Sequence, residues 1–382
     1  MQKYIRAANN ICRSFTSFPK FFRISEEVSE SFLNGKPVIA MESTLITHGL
    51  PYPENIKTVN EMEKIVRSSN ATPATIGIIG GKVIIGMNST EISSIASKSK
   101  NTVKVSRRDL PYVISQSVNG GTTVAATMIL AKMAGISVFA TGGIGGVHRG
   151  AETSMDISAD LHELSRTPIA VVSAGVKSIL DIGRTLEYLE TLGVCVATFG
   201  PTKDFPAFFT PKSNFQAPCN VESAKEAASL IETNSQLGLE NGVLIAVPIP
   251  EEFREQGLKT EAVIEDALKE ARDKNIVGRD VTPFVLSRVQ ELSKGAALEA
   301  NIGLLLNNTR VGTQIAIELN KLRSPEGTSS SRVMRSPVTH EAKNVFSPSG
   351  RPVVIGGSIL DIHVKTFEGV KRWHCKDGKP MN

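Results

Sequence analysis

Two short apolar runs near the middle of the chain each break into a small-residue turn. GISVFA (residues 135–140) ends in TGGIGGVHRG, and residues 169–172 lead into SAGVKS. Runs this short, without polar alternation, suit strands buried on both faces. After the second run, Ile179, Leu180, Leu186 and Leu189 follow a 3.6-residue period that predicts a helix. Strand, turn and helix in succession constrain the chain to α/β architecture rather than an all-β sandwich. Aromatic residues are sparse at 5%, and a hydrophobic content of 41% over 382 residues supplies a core for one large or two ordinary domains.

The same grammar recurs along the chain. SEEVSESFLNG reads as a short helix with an Asn-Gly stop, and residues 38–41 read as a strand ending at Glu42. Residues 56–66 predict an amphipathic helix, and residues 74–87 predict a hairpin turning at Gly80-Gly81. Residues 102–110 give a strand with a basic exit loop, and residues 120–136 a glycine-led helix start. Helices are expected over 221–237 and 260–274, with a strand in GVLIAVPIPEE between them, and two more helices follow up to Leu322.

The ends differ in composition. Residues 1–25 carry Lys3, Arg6, Arg13, Lys20 and Arg23 with no acid. They account for the whole net charge of +5 and leave 38 basic against 38 acidic residues elsewhere. A neutral body without an aromatic-studded basic patch argues against nucleic-acid binding. The basic, Ser- and Phe-containing start fits a mitochondrial transit segment, or alternatively a cytosolic tail. No apolar run reaches the roughly eighteen residues a membrane helix needs. The four cysteines lie far apart without CxxC pairs, which points to a reducing compartment. The main domain is expected over 26–322, followed by a Ser/Pro-rich linker (323–350) and a short segment (351–382) that begins like a second domain.

Several residues are candidates for chemistry. Glu42, at the carboxyl end of a buried strand, stands where α/β proteins bind ligands, and burial there favours a proton donor. Pairing with a neighbouring lysine is the competing reading. The glycine turn 142–150, with His148 and Arg149, fits an anion cradle, or simply a tight crossover. Asp156, Asp160 and Glu163 share one face if residues 156–164 are helical, an oxygen-rich set for magnesium, manganese or calcium. The same spacing fits a capping Asp on a solvated face. Lys177 is expected at a helix start, where the dipole and desolvation both favour the neutral, nucleophilic amine. Otherwise it reaches solvent or binds a phosphate. Lys104 with Arg107 and Arg108, and the helix start after Gly121, are further anion-binding candidates. Asn301, Asn307 and Asn308 stand in apolar surroundings and need partners, structural or ligand.

Taken in order, AMESTLITHGLPYP, KVSRRDLP, GGTTVAATM, FATGGIGGVHRGAE, DISADL, AGVKSILD, EYLETLG, VTPF and EANIGLLLNN closely resemble the pseudouridine-5'-phosphate glycosidase family from about Ser25 to Leu322. The resemblance implies an α/β/α sandwich around a mixed, mostly parallel sheet, a homotrimer and a divalent metal, manganese. It also implies reversible conversion of pseudouridine 5'-phosphate and water into uracil and ribose 5-phosphate. By position it implies a lysine nucleophile at Lys177, a glutamate proton donor at Glu42 and a metal ligand at Asp156. Lys104, Val124, Ser158, Ala159, Asp160 and Asn301 would contact substrate. Where relatives read ANPIPE this chain has AVPIPE, so Val247 lacks an amide. The tail resembles the opening strand of ribokinase-like sugar kinases, too short to build an active one. A lysine Schiff-base aldolase on a phosphosugar and a non-enzymatic sugar-phosphate sensor are the competing functions.

Overall fold

The chain's central strands are apolar on both faces, and the structure, a computed structural model, covers both. It describes residues 18–97, 102–274, 276, 281–293 and 295–324, and short strands between 364 and 380. Eleven strands form one sheet. They are β1 (Phe22–Ile24), β2 (Val38–Met41), β3 (Thr72–Ile79), β4 (Lys82–Ile85), β5 (Thr102–Val105), β6 (Asn119–Thr122), β7 (Val138–Ala140), β8 (Ala170–Ser173), β9 (Cys195–Phe199), β10 (Cys219–Val221) and β11 (Val243–Ala246). The order is β1-β4-β3-β2-β7-β8-β11-β9-β10, with β6 also pairing β3 and β5 pairing β6. From β3 to β10 every pairing on that path is parallel, whereas β4 and β6 run antiparallel to β3. The expected mixed, mostly parallel sheet is therefore present.

Side chains alternate between two apolar layers. Ile39, Val138, Val172, Val243 and Ile245 point to one side, with Val66, Ile231, Val311 and Ile315 from the helices Glu54–Ser68, Ala224–Gln236 and Ala296–Arg323. Val38, Ala40, Phe139, Val171 and Leu244 point to the other, against Met128, Leu130, Leu161 and Leu189 of the helices Val124–Met133, Ala159–Leu164 and Ile182–Thr191. Each fully buried large aliphatic side chain stabilises the fold by about 1.5–3 kcal/mol, so a strand stripped of either helical layer would lose half its support. The α/β/α sandwich follows.

The hairpin turns where expected, with Gly80 and Gly81 at φ +55° and +74°. The main unit also reaches further back than residue 26. β1 pairs in parallel with β4, Phe22 is buried, and Phe18 stacks on it at 4.9 Å. A leader ending at residue 25 would therefore take an edge strand with it. The chain divides into units Met1–Ser329 and Ser330–Asn382. In the second, Val364–Thr366 pairs Gly369–Lys371 and Cys375–Lys376 pairs Lys379–Pro380, both antiparallel. The linker expected at 323–350 lies outside the described residues beyond Ser324, as does the kinase-like opening at 351–361.

Candidate active site

Register alone brings the central groups together. Met41 pairs with Ala140 across β2 and β7, and Ala140 pairs with Val172 across β7 and β8. Glu42 and Thr141 therefore emerge side by side at the carboxyl edge, with Lys177 four residues past Ser173 on the next strand. This edge is where open parallel sheets place ligand chemistry. The Thr141 hydroxyl donates to Glu42 Oε1. Glu42 is buried at 7% exposure. Burial pushes its carboxyl above the usual carboxylate range, Asp160 adds to the rise, and Lys177, the Thr141 bond and Lys104 pull against it. A carboxyl whose pKa burial raises, with two lysines close by, is suited to give a proton.

The loop after Glu42 winds into a short π-helix, Leu45–Gly49, a form concentrated at functional sites. Ser43 Oγ accepts from the Thr122 amide at 2.9 Å, and Thr44 Oγ1 donates to the Gly121 carbonyl at 3.1 Å, so the turn rests directly on β6. Only glycine fits there: a Cβ on Gly121 would stand 2.1 Å from Thr47 Oγ1. His48 ends this turn, bonded to Thr47 Oγ1 at 2.7 Å, and burial together with the Lys104 charge lowers its pKa. Exposed Lys104 on β5 thus lies near both His48 and Glu42.

The acidic segment is arranged differently from the expected helical face. The helix is Ala159–Leu164, capped by Ser158, so Asp156 lies outside it. Asp160 bridges two main-chain donors, Ala125 N at 3.0 Å and Gly145 N at 2.9 Å. Glu163, at 0% side-chain exposure, takes a bidentate fork from Arg107 at 2.6 and 2.8 Å, a bond from Arg166 at 3.3 Å, and one from Thr167. Arg107 is therefore committed to protein and does not serve the anion site suggested for it. Asp156 alone of the three faces outward, 39% exposed and 3.5 Å from His148 Nδ1. Among the described residues no cluster of three His, Cys, Asp or Glu could hold a metal.

Two further expectations change. Lys177 does not begin a helix: the next one is Ile182–Thr191, capped by Asp181, and Lys177 sits exposed in the preceding loop, its amide on the Ile144 carbonyl at 3.2 Å. No helix dipole acts on it there. The glycine turn is partly closed as an anion cradle. The amides of Thr141, Ile144, Gly145, Val147 and His148 all go to protein acceptors. Its glycines serve close packing instead, since a Cβ on Gly143 would meet the Phe208 ring at 2.5 Å and one on Gly145 the Ser158 hydroxyl at 2.1 Å. At the helix start after Gly121 two amides are taken, Ala126 by the Thr123 cap and Ala125 by Asp160.

The remaining expected contacts lie around this centre. Val124 opens its helix with its side chain in the core, which leaves its main chain for a ligand. Ser158 and exposed Ala159 adjoin Asp160. Asn301 faces Gly142 from the long helix Ala296–Arg323, its Oδ1 3.7 Å from where a Cβ on Gly142 would lie. Asn307 Nδ2 bonds the Pro248 carbonyl at 3.3 Å, and Asn308 Nδ2 bonds the carbonyls of Thr141 and Gly142 at 2.9 and 3.2 Å. Val247 is buried, and its amide bonds Ser173 O at 2.7 Å. Thr141 was not singled out from the sequence. The rule that found Glu42, a polar residue at a buried strand's carboxyl end, applies to it equally.

Residues 27–318 match the family model for indigoidine synthase A like protein. The chain is 52% identical over 303 residues to a pseudouridine-5'-phosphate glycosidase of Clostridium botulinum, covering 79% of this chain and 98% of that one. It is 50% identical over 315 residues to the Arabidopsis thaliana glycosidase of the same name, covering 82% of this chain and 93% of that one. Among solved structures, the prealnumycin C-glycosynthase AlnA in complex with ribulose 5-phosphate superposes with a TM-score of 0.74 at 36% identity, over 80% of this chain and 99% of that one. The sheet, the site at its carboxyl edge and these likenesses together place the chain in the indigoidine synthase A-like family, among the relatives named pseudouridine-5'-phosphate glycosidase.

Proposed function

We propose that this protein is a pseudouridine-5'-phosphate glycosidase that works through a lysine imine with Glu42 as proton donor. The observation that carries the reading is the convergence of a buried, protonation-prone Glu42 and Lys177 at the ends of β2 and β8, on either side of β7. The carbon-linked base is a poor leaving group, so simple oxocarbenium chemistry is not enough. The unprotonated Lys177 amine bonds to C1′ of the sugar while the C1′–O4′ bond opens, and the proton the nitrogen loses goes to O4′, which becomes a hydroxyl. The nitrogen lone pair then forms the imine as the C1′–C5 bond breaks. That bond's electron pair stays on uracil C5, which takes the proton from Glu42. Water cleaves the imine to ribose 5-phosphate and frees the lysine. The open-chain pentose phosphate bound by the AlnA relative supports a ring-opened sugar. Lys104, Asp160, Ser158, Ala159, Val124 and Asn301 would surround the substrate.

Asp156 fits a divalent cation of the manganese type only as a mostly hydrated ion, because such ions accept one or two carboxylates and keep several waters. Bound there, it would supply positive charge beside the substrate. A homotrimer and a mitochondrial destination complete the reading. The family resemblance supports the first and the basic start the second, and light scattering and fractionation of the tagged protein test them.

Incubating the protein with uracil and ribose 5-phosphate should yield pseudouridine 5'-phosphate. Borohydride added during turnover should leave a pentose phosphate adduct on the peptide containing Lys177. No product in the first assay defeats the glycosidase reading. An adduct without product would instead favour a Schiff-base enzyme acting on another phosphosugar.

A further inference from the structure

We propose that Asn308 is a positioning residue for the proton donor: by gripping the carbonyls of Thr141 and Gly142 it fixes the end of β7 so that the Thr141 hydroxyl stays on Glu42. The inference rests on the glycosidase reading above and adds to it a residue on the opposite layer of the sandwich.

Three observations carry it. First, β7 ends at Ala140, so the carbonyls of Thr141 and Gly142 lie beyond the strand's pairing residues. Asn308, 1% exposed, supplies the Thr141 carbonyl with a donor at 2.9 Å and shares the Gly142 carbonyl, at 3.2 Å, with the Ala174 amide at 2.8 Å. The Thr141 amide is meanwhile held by the Val172 carbonyl at 3.0 Å. Its main chain is thus gripped from both sides, and its hydroxyl is delivered to Glu42 Oε1. With Oε1 engaged, Oε2 is left as the oxygen that carries the transferable proton.

Second, the Asn308 amide is only half satisfied. Facing two carbonyls fixes the amide with its nitrogen toward them. That leaves Asn308 Oδ1 buried with no hydrogen-bond partner among the described residues. Leucine would remove that orphaned acceptor but would leave the Thr141 carbonyl without its donor. A locally unfavourable group beside reacting residues is what a functional constraint leaves behind.

Third, the helix is built to come this close. Gly312, one turn beyond Asn308, lies so near the sheet that a Cβ there would be 3.0 Å from Ile39 Cδ1 and 3.2 Å from Ala140 Cβ. The close approach puts Asn308 within reach of the end of β7.

The test compares Asn308→Leu, Thr141→Val and Thr141→Ser in the cleavage of pseudouridine 5'-phosphate, the direction in which Glu42 gives its proton, with kcat and KM measured across pH and Tm recorded. Asn308→Leu should lower Tm modestly, because the Thr141 carbonyl loses its donor, hold KM within about threefold, and lower kcat roughly 10- to 100-fold, the scale of a slightly misplaced catalytic group. Thr141→Val should do the same, and Thr141→Ser should restore activity close to the parent. Because the Thr141 bond lowers the Glu42 pKa, both damaging variants should move the descending limb of the kcat profile to higher pH. The double variant Asn308→Leu/Thr141→Val should be no slower than Thr141→Val alone. Parent-like kcat and pH profile in Asn308→Leu, or losses that multiply in the double variant, overturn the inference. Should Asn308→Leu not fold, an unchanged profile in Thr141→Val overturns it equally. An inactive parent protein would instead sink the glycosidase reading, so the two failures are distinguishable.

Discussion

Removing Arg107 should reverse the sign of Glu163's contribution to the protein's pH-dependent stability. Glu163 is fully buried, and its charge is answered by the Arg107 fork, by Arg166 and by the Thr167 hydroxyl. Burial pushes its carboxyl up, but the bonds from Arg107 and Thr167 and the two guanidinium charges outweigh that and hold it below the usual range. Its contribution is therefore fully present above the unfolded-state pKa and is lost as pH falls through the lower folded value. In Arg107→Ala the carboxylate keeps only Arg166, at 3.3 Å and half exposed, and Thr167. Stranding a buried charge costs about 3–5 kcal/mol. The lower end applies, because Arg107 is itself 44% exposed and Arg166 remains. With an unfolding entropy near 2 cal/mol/K per residue over roughly 300 residues, about 3 kcal/mol lowers Tm by about 5 °C at pH 7. Burial then dominates the Glu163 pKa and raises it above the unfolded value, so stability should recover as pH falls from 7 toward 5. Calorimetry of both proteins across that range is the assay. An Arg107→Ala variant within 1 °C of the parent at pH 7, or one whose deficit widens on acidification, would refute the reasoning.

Glu42→Gln should lower kcat by about 10²-fold or more while raising Tm at pH 8, since the cost of burying an ionised carboxylate disappears; a lowered Tm there would contradict the assignment of burial as the main cause of its raised pKa. In the parent, activity that needs protonated Glu42 should fall as pH rises through that raised pKa, and this limb should be absent in Glu42→Gln. Gly121→Ala should drive Thr47 off β6 and cost about 1–3 kcal/mol, read by denaturant unfolding, because its Cβ would lie 2.1 Å from Thr47 Oγ1. Asp156→Asn should raise the manganese concentration needed for half-maximal activity without changing Tm in the absence of metal, and an unchanged metal titration would remove Asp156 from the site. Starting the chain at Glu26 rather than Phe18 should lower stability measurably, because it deletes β1 and exposes Val83 and Ile85, and equal Tm values would show that strand to be dispensable.

Much of this was legible locally. Val38–Met41, Val138–Ala140 and Ala170–Ser173 announce themselves as buried strands because both of their faces are covered, which forces unbroken apolar runs. Glu42 was readable as the polar residue ending such a run, and the Gly80-Gly81 hairpin as a pair of residues free to take positive φ. Periodicity failed at Asp156, which lies outside the helix holding Asp160, and at Lys177, which precedes its helix by several residues. A 3.6-residue pattern tells which residues share a face, not where the first hydrogen-bonded turn begins.

The sequence by itself determined that this is an α/β protein with an acid at one strand end and a lysine past another, because local apolar patterning is set by what each residue must bury. Only the tertiary structure decided that Glu42 meets Thr141, that Glu163 meets Arg107 and that Asn308 reaches the end of β7. Those partners are 99, 56 and 167 residues apart. Strand order and register bring them together, and neither is encoded in any window of neighbouring residues.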